Sequence, residues 1–117
     1  MNRGDVRIRT GNYDGAIADF DKAMTINANL AEVYNGRALA LYYKGELDRA
    51  IADYDKAIAI NPNLAEIYGN RALSLLALGK DAQAERDLKK CFELNARLRL
   101  VLDPLVAEIK KTRHVKH

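Results

Sequence analysis

The chain repeats itself every 34 residues, and no other feature restricts its fold as strongly. Arg3, Arg37 and Arg71 are one period apart. The same shift superposes Gly11, Gly45 and Gly79; Ala16, Ala50 and Ala84; Asp19, Asp53 and Asp87; Lys22, Lys56 and Lys90; Asn27, Asn61 and Asn95; and Leu30, Leu64 and Leu98. A period of this length marks stacked supersecondary units, none of which can bury its apolar side alone. We divide the chain as one domain into repeats at 1–30, 31–64 and 65–98, followed by a helix and basic tail at 99–117.

Each repeat reads as two amphipathic helices around a glycine. Apolar residues recur at i, i+3 and i+4, as in Ala16, Ile17, Phe20, Ala23 and Met24, the pattern of a helix with one buried face. Helices are expected near 14–27, 32–44, 48–60, 65–78 and 82–94. Gly11, Gly45 and Gly79 are placed to end helices in the left-handed conformation, which costs glycine no Cβ clash. Asn61-Pro62 makes a firmer stop than Asn27-Ala28-Asn29. Small residues recur where helices must approach, at Gly4, Ala38 and Ala72; Ala16, Ala50 and Ala84; and Ala23, Ala57 and Cys91. Large ones alternate with them at Phe20, Tyr54 and Leu88, then Met24, Ile58 and Phe92, an arrangement that lets hairpins interlock. The first repeat starts inside its opening helix. It is expected to be a truncated hairpin or one cut from a longer array. A last helix is expected from Arg97 to about Thr112. Asp103-Pro104 within it suits an N-cap followed by a first-turn proline, so the helix should start at Pro104 or kink there.

Arg3 and Asp19, Arg37 and Asp53, and Arg71 and Asp87 are each separated by 16 residues with a glycine at the midpoint. In an antiparallel hairpin, residues equidistant from the turn lie at the same height. An Arg–Asp bridge is therefore expected in every repeat, as a clamp between its helices rather than a row of cations offered to an anionic ligand. Asp19/Asp21 and Asp53/Asp55 are not expected to act as acid pairs, since helical residues two apart face different ways.

On Tyr34, Ala38, Leu41, Gly45, Ala50, Tyr54, Ala57 and Pro62, matched in the third copy by Tyr68, Ala72, Leu75, Gly79, Ala84, Leu88 and Cys91, the chain resembles tetratricopeptide repeat proteins, known by this period. The resemblance covers residues 1 to about 98. It departs from the family pattern at Ala28 and Ala96, where proline is usual, and at Arg7, where an aromatic residue is usual. The resemblance implies an all-α, right-handed helical-repeat solenoid of antiparallel hairpins with a C-terminal capping helix. It also implies a concave groove, lined by first helices, that takes an extended peptide or a helix. Here the lining would be Asp5, Ile8, Arg9, Glu32, Asn35, Leu39, Tyr42, Tyr43, Glu66, Gly69, Asn70, Leu73, Leu76 and Ala77. Tyr42 and Tyr43 are adjacent, so at least one should face outward as a rigid, amphipathic anchor. Some relatives grip the acidic tail of heat-shock chaperones with lysines, asparagines and an arginine. The matching positions are Met1, Asp5, Gly36, Glu66 and Asn70, where two carboxylates replace basic groups. An acidic chaperone tail is therefore not the expected partner; a basic or mixed-polarity one is.

The inventory bears on chemistry. Ser74 is the only serine, Cys91 the only cysteine, and His114 and His117 the only histidines, so no catalytic role, metal or cofactor is expected. Cys91 takes the small-residue slot of Ala23 and Ala57, as a packed thiol. No apolar run is long enough to span a bilayer and the first residues show no signal-peptide h-region, so a cytoplasmic location is expected. Residues 1–88 carry 11 Lys+Arg against 13 Asp+Glu, and residues 89–117 carry 8 against 3. That is a basic end on a near-neutral body, not a nucleic-acid-binding surface. The expected function is a non-catalytic scaffold that binds a protein segment in its groove. The alternative is self-assembly into homo-oligomers, with contact of the basic end to an anionic membrane or nucleic acid behind both.

Overall fold

The computed structural model describes residues 11–27 and 29–115, with the side chains of 113–115 left aside. These residues are helical apart from their turns. The helices are α1 (Tyr13–Ile26), α2 (Ala31–Lys44), α3 (Leu47–Ile60), α4 (Ala65–Ala77), α5 (Asp81–Leu94) and α6 (Arg99–Val115), with a single 3-10 turn at Ala96–Leu98 before the last. The fold class is all-α and built from helical repeats. Each helix expected between residues 14 and 94 is found within a residue of its expected start and end; the opening helix expected for the first repeat lies outside the described residues.

The turns explain the starts and stops. Gly45 and Gly79 have φ of 93° and 81°. Glu46 N–H donates to Leu41 O at 2.9 Å and Gly45 N–H to Tyr42 O at 3.0 Å. Lys80 N–H donates to Leu75 O at 2.8 Å and Gly79 N–H to Leu76 O at 3.0 Å. These paired bonds satisfy carbonyls that a helix end leaves open, and they require a left-handed residue between them. At the start of α1, Asn12 Oδ1 accepts from Gly15 N–H at 3.0 Å, a side-chain cap that the repeat pattern does not reveal.

Two compact units divide the chain, one ending at Pro62 and the other starting at Asn63. In the first, α2 packs against both α1 and α3. Its core gathers Ala16, Phe20, Val33 and Ala40, with Ile17, Ala23 and Met24 at the margin. Gly36 allows the closest approach. A Cβ built there would lie 2.4 Å from Phe20 Cζ and 2.5 Å from Cε1, so the bare backbone of α2 rests on the Phe20 ring.

In the second unit, α4 packs against both α5 and α6. Gly69 is its close-approach residue, with Leu102 Cδ1 at 2.7 Å and Cys91 Sγ at 3.2 Å from a built Cβ. Cys91 is fully buried, and burial pushes its thiol pKa up.

The last helix corrects one expectation. It begins at Arg99, not at Pro104, and Pro104 lies inside it. Arg99 is 34 residues after Ala65, the first residue of α4, so α6 keeps the register of a repeat's first helix. Proline has no N–H to give the Leu100 carbonyl. Leu100 is 82% exposed, so water reaches that turn. Asp103 does not cap a helix. Its carboxylate lies 3.8 Å from the Arg99 guanidinium, one turn away.

Candidate interaction surface

The Arg–Asp pairs are clamps in both repeats where they are described. Arg37 Nε donates to Asp53 Oδ2 at 2.7 Å and Nη2 to Oδ1 at 2.8 Å. Arg71 repeats this geometry on Asp87, with both bonds at 2.7 Å. Each guanidinium also lies over the ring of the tyrosine three residues before it, Tyr34 at 5.8 Å and Tyr68 at 5.9 Å. The carboxylates are buried, so the planar fork is matched by two acceptors as it leaves water. Arg37 has a second partner: its Nη1 donates to Asp21 Oδ1 of α1 at 2.8 Å. The hydrogen bond to Asp53, outweighing burial and joined by that to Asp21, holds the Arg37 pKa above its ordinary value. Arg3, the expected partner of Asp19, lies outside the described residues.

The predicted groove residues fall into three groups. Asp5, Ile8 and Arg9 lie outside the described residues. Glu32, Asn35, Leu39 and Tyr42 form one stripe along α2, at steps of three and four residues, with Tyr43 beside its end. Glu32 is exposed, while Asn35, Leu39 and Tyr42 are half-buried. Tyr43 keeps 52% of its surface exposed. In the second unit Glu66 is exposed and Asn70 and Ala77 are half-buried, but Gly69 and Leu76 are buried and Leu73 is only 6% exposed. Gly69, Leu73 and Leu76 therefore belong to the core and offer a partner no surface. Periodicity alone could not separate them from the open stripe of α2, because α6 packs on α4 and sets Leu102 against Gly69.

Three tyrosines order the end of the α2 stripe. The Tyr43 ring stacks on Tyr13, the first residue of α1, at a centroid distance of 5.6 Å and an interplanar angle of 15°. Tyr42 meets Tyr43 edge-on at 5.3 Å and 69°. Burial, and then the neighbouring Tyr43, raise the Tyr42 phenol pKa, so it stays a neutral donor. Close by, Lys44 Nζ sits 2.6 Å from Asp14 and 3.4 Å from Glu46, which raises its pKa, Asp14 having the larger effect. Sequence reasoning missed Tyr13 and Asp14. The signal lay in their position at the start of α1, one helix before the end of α2.

No group of three metal-ligating side chains occurs among the described residues, and none of the described helices is long and apolar enough to cross a membrane.

Comparison with known families gives TPR repeat models over residues 4–42 and 38–79 and a tetratricopeptide repeat model over residues 65–97. The chain belongs to the tetratricopeptide repeat family. No curated protein matches its sequence. Among solved structures, this TPR chain is similar to the first TPR of Spaghetti (RPAP3) bound to the HSP90 peptide SRMEEVD, at 23% identity over 96% of this chain and 88% of that one, with a TM-score of 0.83. The TPR2B domain of yeast Sti1 in complex with an Hsp70 peptide matches at 23% identity over 93% of this chain and 91% of that one, also with a TM-score of 0.83. The MamA protein matches at 26% identity over 81% of this chain and 52% of its own, with a TM-score of 0.72. Together with the repeat models, these likenesses place the chain in the TPR fold.

Proposed function

We propose that this TPR chain is a non-catalytic scaffold that binds an extended peptide or helix of a partner protein along the α2 stripe. The observation that carries this is the aromatic group at the end of that stripe. Tyr43 is half exposed yet held rigid by stacking on Tyr13, so it can cover a partner with little further loss of side-chain freedom. Leu39, one turn before it, adds an apolar contact, and Asn35 adds amide hydrogen bonding.

The charge of the surface suggests the kind of partner. Glu32 sits at the open end of the stripe, and Glu66 holds the same place in the next repeat. Both are exposed. The similar structures carry peptides from HSP90 and Hsp70. By the family resemblance, Asp5 and Glu66 stand where relatives that grip an acidic chaperone tail carry basic groups, and like charge opposes such a tail. The partner segment is therefore basic or of mixed polarity, with an apolar or aromatic anchor.

A displayed library of random peptides, panned against the whole chain, tests both parts. Selected peptides should carry lysine or arginine beside an apolar anchor. They should lose at least about tenfold in affinity, about 1.4 kcal/mol, on Leu39→Glu or Tyr43→Ala. Selection of acidic tails such as SRMEEVD would refute the charge argument. Wild-type affinity in both variants would refute the location.

A further inference from the structure

The outer face of α6 is apolar and uncovered. Leu100, Val101 and Leu105 are 82%, 58% and 45% exposed, and Pro104 between them is exposed as well. The register explains which face this is. Leu105 is one period after Arg71 and two after Arg37. In α4 and α2 those positions reach the second helix of their own hairpin through the fork to Asp87 or Asp53. Val101 is one period after Ile67 and two after Val33, both buried. At Val101 and Leu105 the last helix thus exposes the side on which each earlier first helix receives its partner helix, with leucine in place of the clamping arginine, and Leu100, one period after the exposed Glu66, widens that face.

We propose that a second copy of the chain covers this face, its α6 running antiparallel to the first. The stripe is self-complementary when reversed end to end. About the midpoint between Leu102 and Asp103, Leu100 falls opposite Leu105 of the other copy, Val101 opposite Pro104, and Arg97 opposite Glu108. Each relation occurs twice, as a two-fold interface requires. Leu100, Val101, Pro104, Leu105 and Glu108 follow steps of three and four along α6, so they share one side of the helix, and Arg97 stands in the 3-10 turn that leads into it. Arg97 and Glu108 are exposed, and neither has an ion-pair partner among the described residues. They lie 11 positions apart, and the α6 part of that stretch alone, from Arg99 to Glu108, spans roughly 13 Å, too far to pair within one chain. Across the interface they bracket the apolar centre. Rim charges of this kind add little affinity but fix orientation and register. Apolar residues exposed contiguously and rimmed by charge are the usual mark of an interaction site.

Sedimentation equilibrium of the full chain from about 1 μM to about 1 mM tests this. The expected result is a reversible monomer–dimer equilibrium that Leu100→Asp abolishes. Arg97→Glu places two acids opposite each other in both halves of the contact, and Glu108→Arg places two bases. Each alone should weaken the dimer at least about tenfold. Mixed in equal amounts, the two variants should recover wild-type affinity as a heterodimer. The introduced acid of one copy then meets the introduced base of the other, and the native Glu108 of the first meets the native Arg97 of the second. These side chains are exposed, and circular dichroism should show unchanged helicity.

A wild-type chain that stays monomeric throughout would overturn the proposal. So would a dimer indifferent to the charge reversals, or a mixture that fails to recover. A monomer that instead takes a foreign amphipathic helix on Val101 and Leu105 would assign the face to another partner and equally overturn it.

Discussion

Replacing Gly36 with alanine sets two effects of known sign against each other. Alanine in a helix interior is better than glycine by about 1 kcal/mol, so on propensity alone Gly36→Ala should stabilise α2. The structure opposes this. The added Cβ would stand 2.4 Å and 2.5 Å from two Phe20 ring atoms, where ordinary contact begins at 3.4 Å. The ring is rigid and 2% exposed. A ring flip leaves Cζ where it is, so relief requires roughly 1 Å of movement between helices, and overpacking of that kind costs about 1–3 kcal/mol. The net expectation is a loss of up to about 2 kcal/mol, read as a fall of up to roughly 1 M in the urea midpoint by circular dichroism. Phe20→Leu removes the offending ring atoms. Combined with Gly36→Ala, it should therefore cost less than the sum of the two single changes, by about 1 kcal/mol in a double-mutant cycle. Gly69→Ala is the internal comparison. Its nearest neighbour is the flexible end of Leu102 at 2.7 Å, which can swing aside, so its cost should be smaller. A stabilised Gly36→Ala protein, or a cycle with no coupling, would refute the view that this glycine is held by the ring.

Arg37→Ala should cost about 3 kcal/mol by leaving the buried Asp53 carboxylate unmatched, whereas Asp21→Ala, which removes only the exposed arm of the same network, should change stability by no more than about 0.5 kcal/mol; denaturant melts separate them. Ser74 is fully buried, and its hydroxyl has no partner among the described residues. One period earlier Ala40 fills the same slot, so Ser74→Ala should leave the melting temperature unchanged or raise it, by up to about 1 kcal/mol in stability. The Cys91 thiol is pushed up by burial, so above the ordinary thiol pKa the unfolded chain releases a proton that the folded chain keeps. Stability should therefore fall as pH rises past about 8.5, at no more than about 1.4 kcal/mol per pH unit from this group. The fall should be shallower in Cys91→Ala, and melts from neutral to about pH 10 compare the two.

Most of the helical framework was legible because it depends on local rules that recur. Gly45 and Gly79, one period apart, gave the turns after the first helices described, and arginine and aspartate at equal distances from a glycine gave the clamp. What escaped detection depended on which third element arrives. Asp21 was set aside as one of two acids facing different ways, yet Arg37 has a donor to spare once Asp53 has taken two. Gly36 and Gly69 stand at adjacent repeat positions rather than equivalent ones, so the alignment hid that each is set by its own neighbour, a phenylalanine ring for one and a leucine and cysteine for the other. Leu73 carries the same pattern as Leu39 and ends up buried. Pro104 drew attention from the period, which alone places the start of α6 at Arg99.

The position of Arg37 sets how the chain can change length. It stands 16 residues after Asp21 and 16 before Asp53, bonded to both, so the arginine acts as a gauge across the turns on either side. A residue inserted into α2 between Arg37 and Gly45 rotates the arginine by about 100° relative to the turn and withdraws the fork from Asp53. One deleted before it withdraws the arm from Asp21. A change of a whole repeat leaves both spacings as they were. Single-residue insertions and deletions should therefore be rejected within the helices, while duplication of an intact 34-residue block should be tolerated, which is how an array of this kind can grow or shrink.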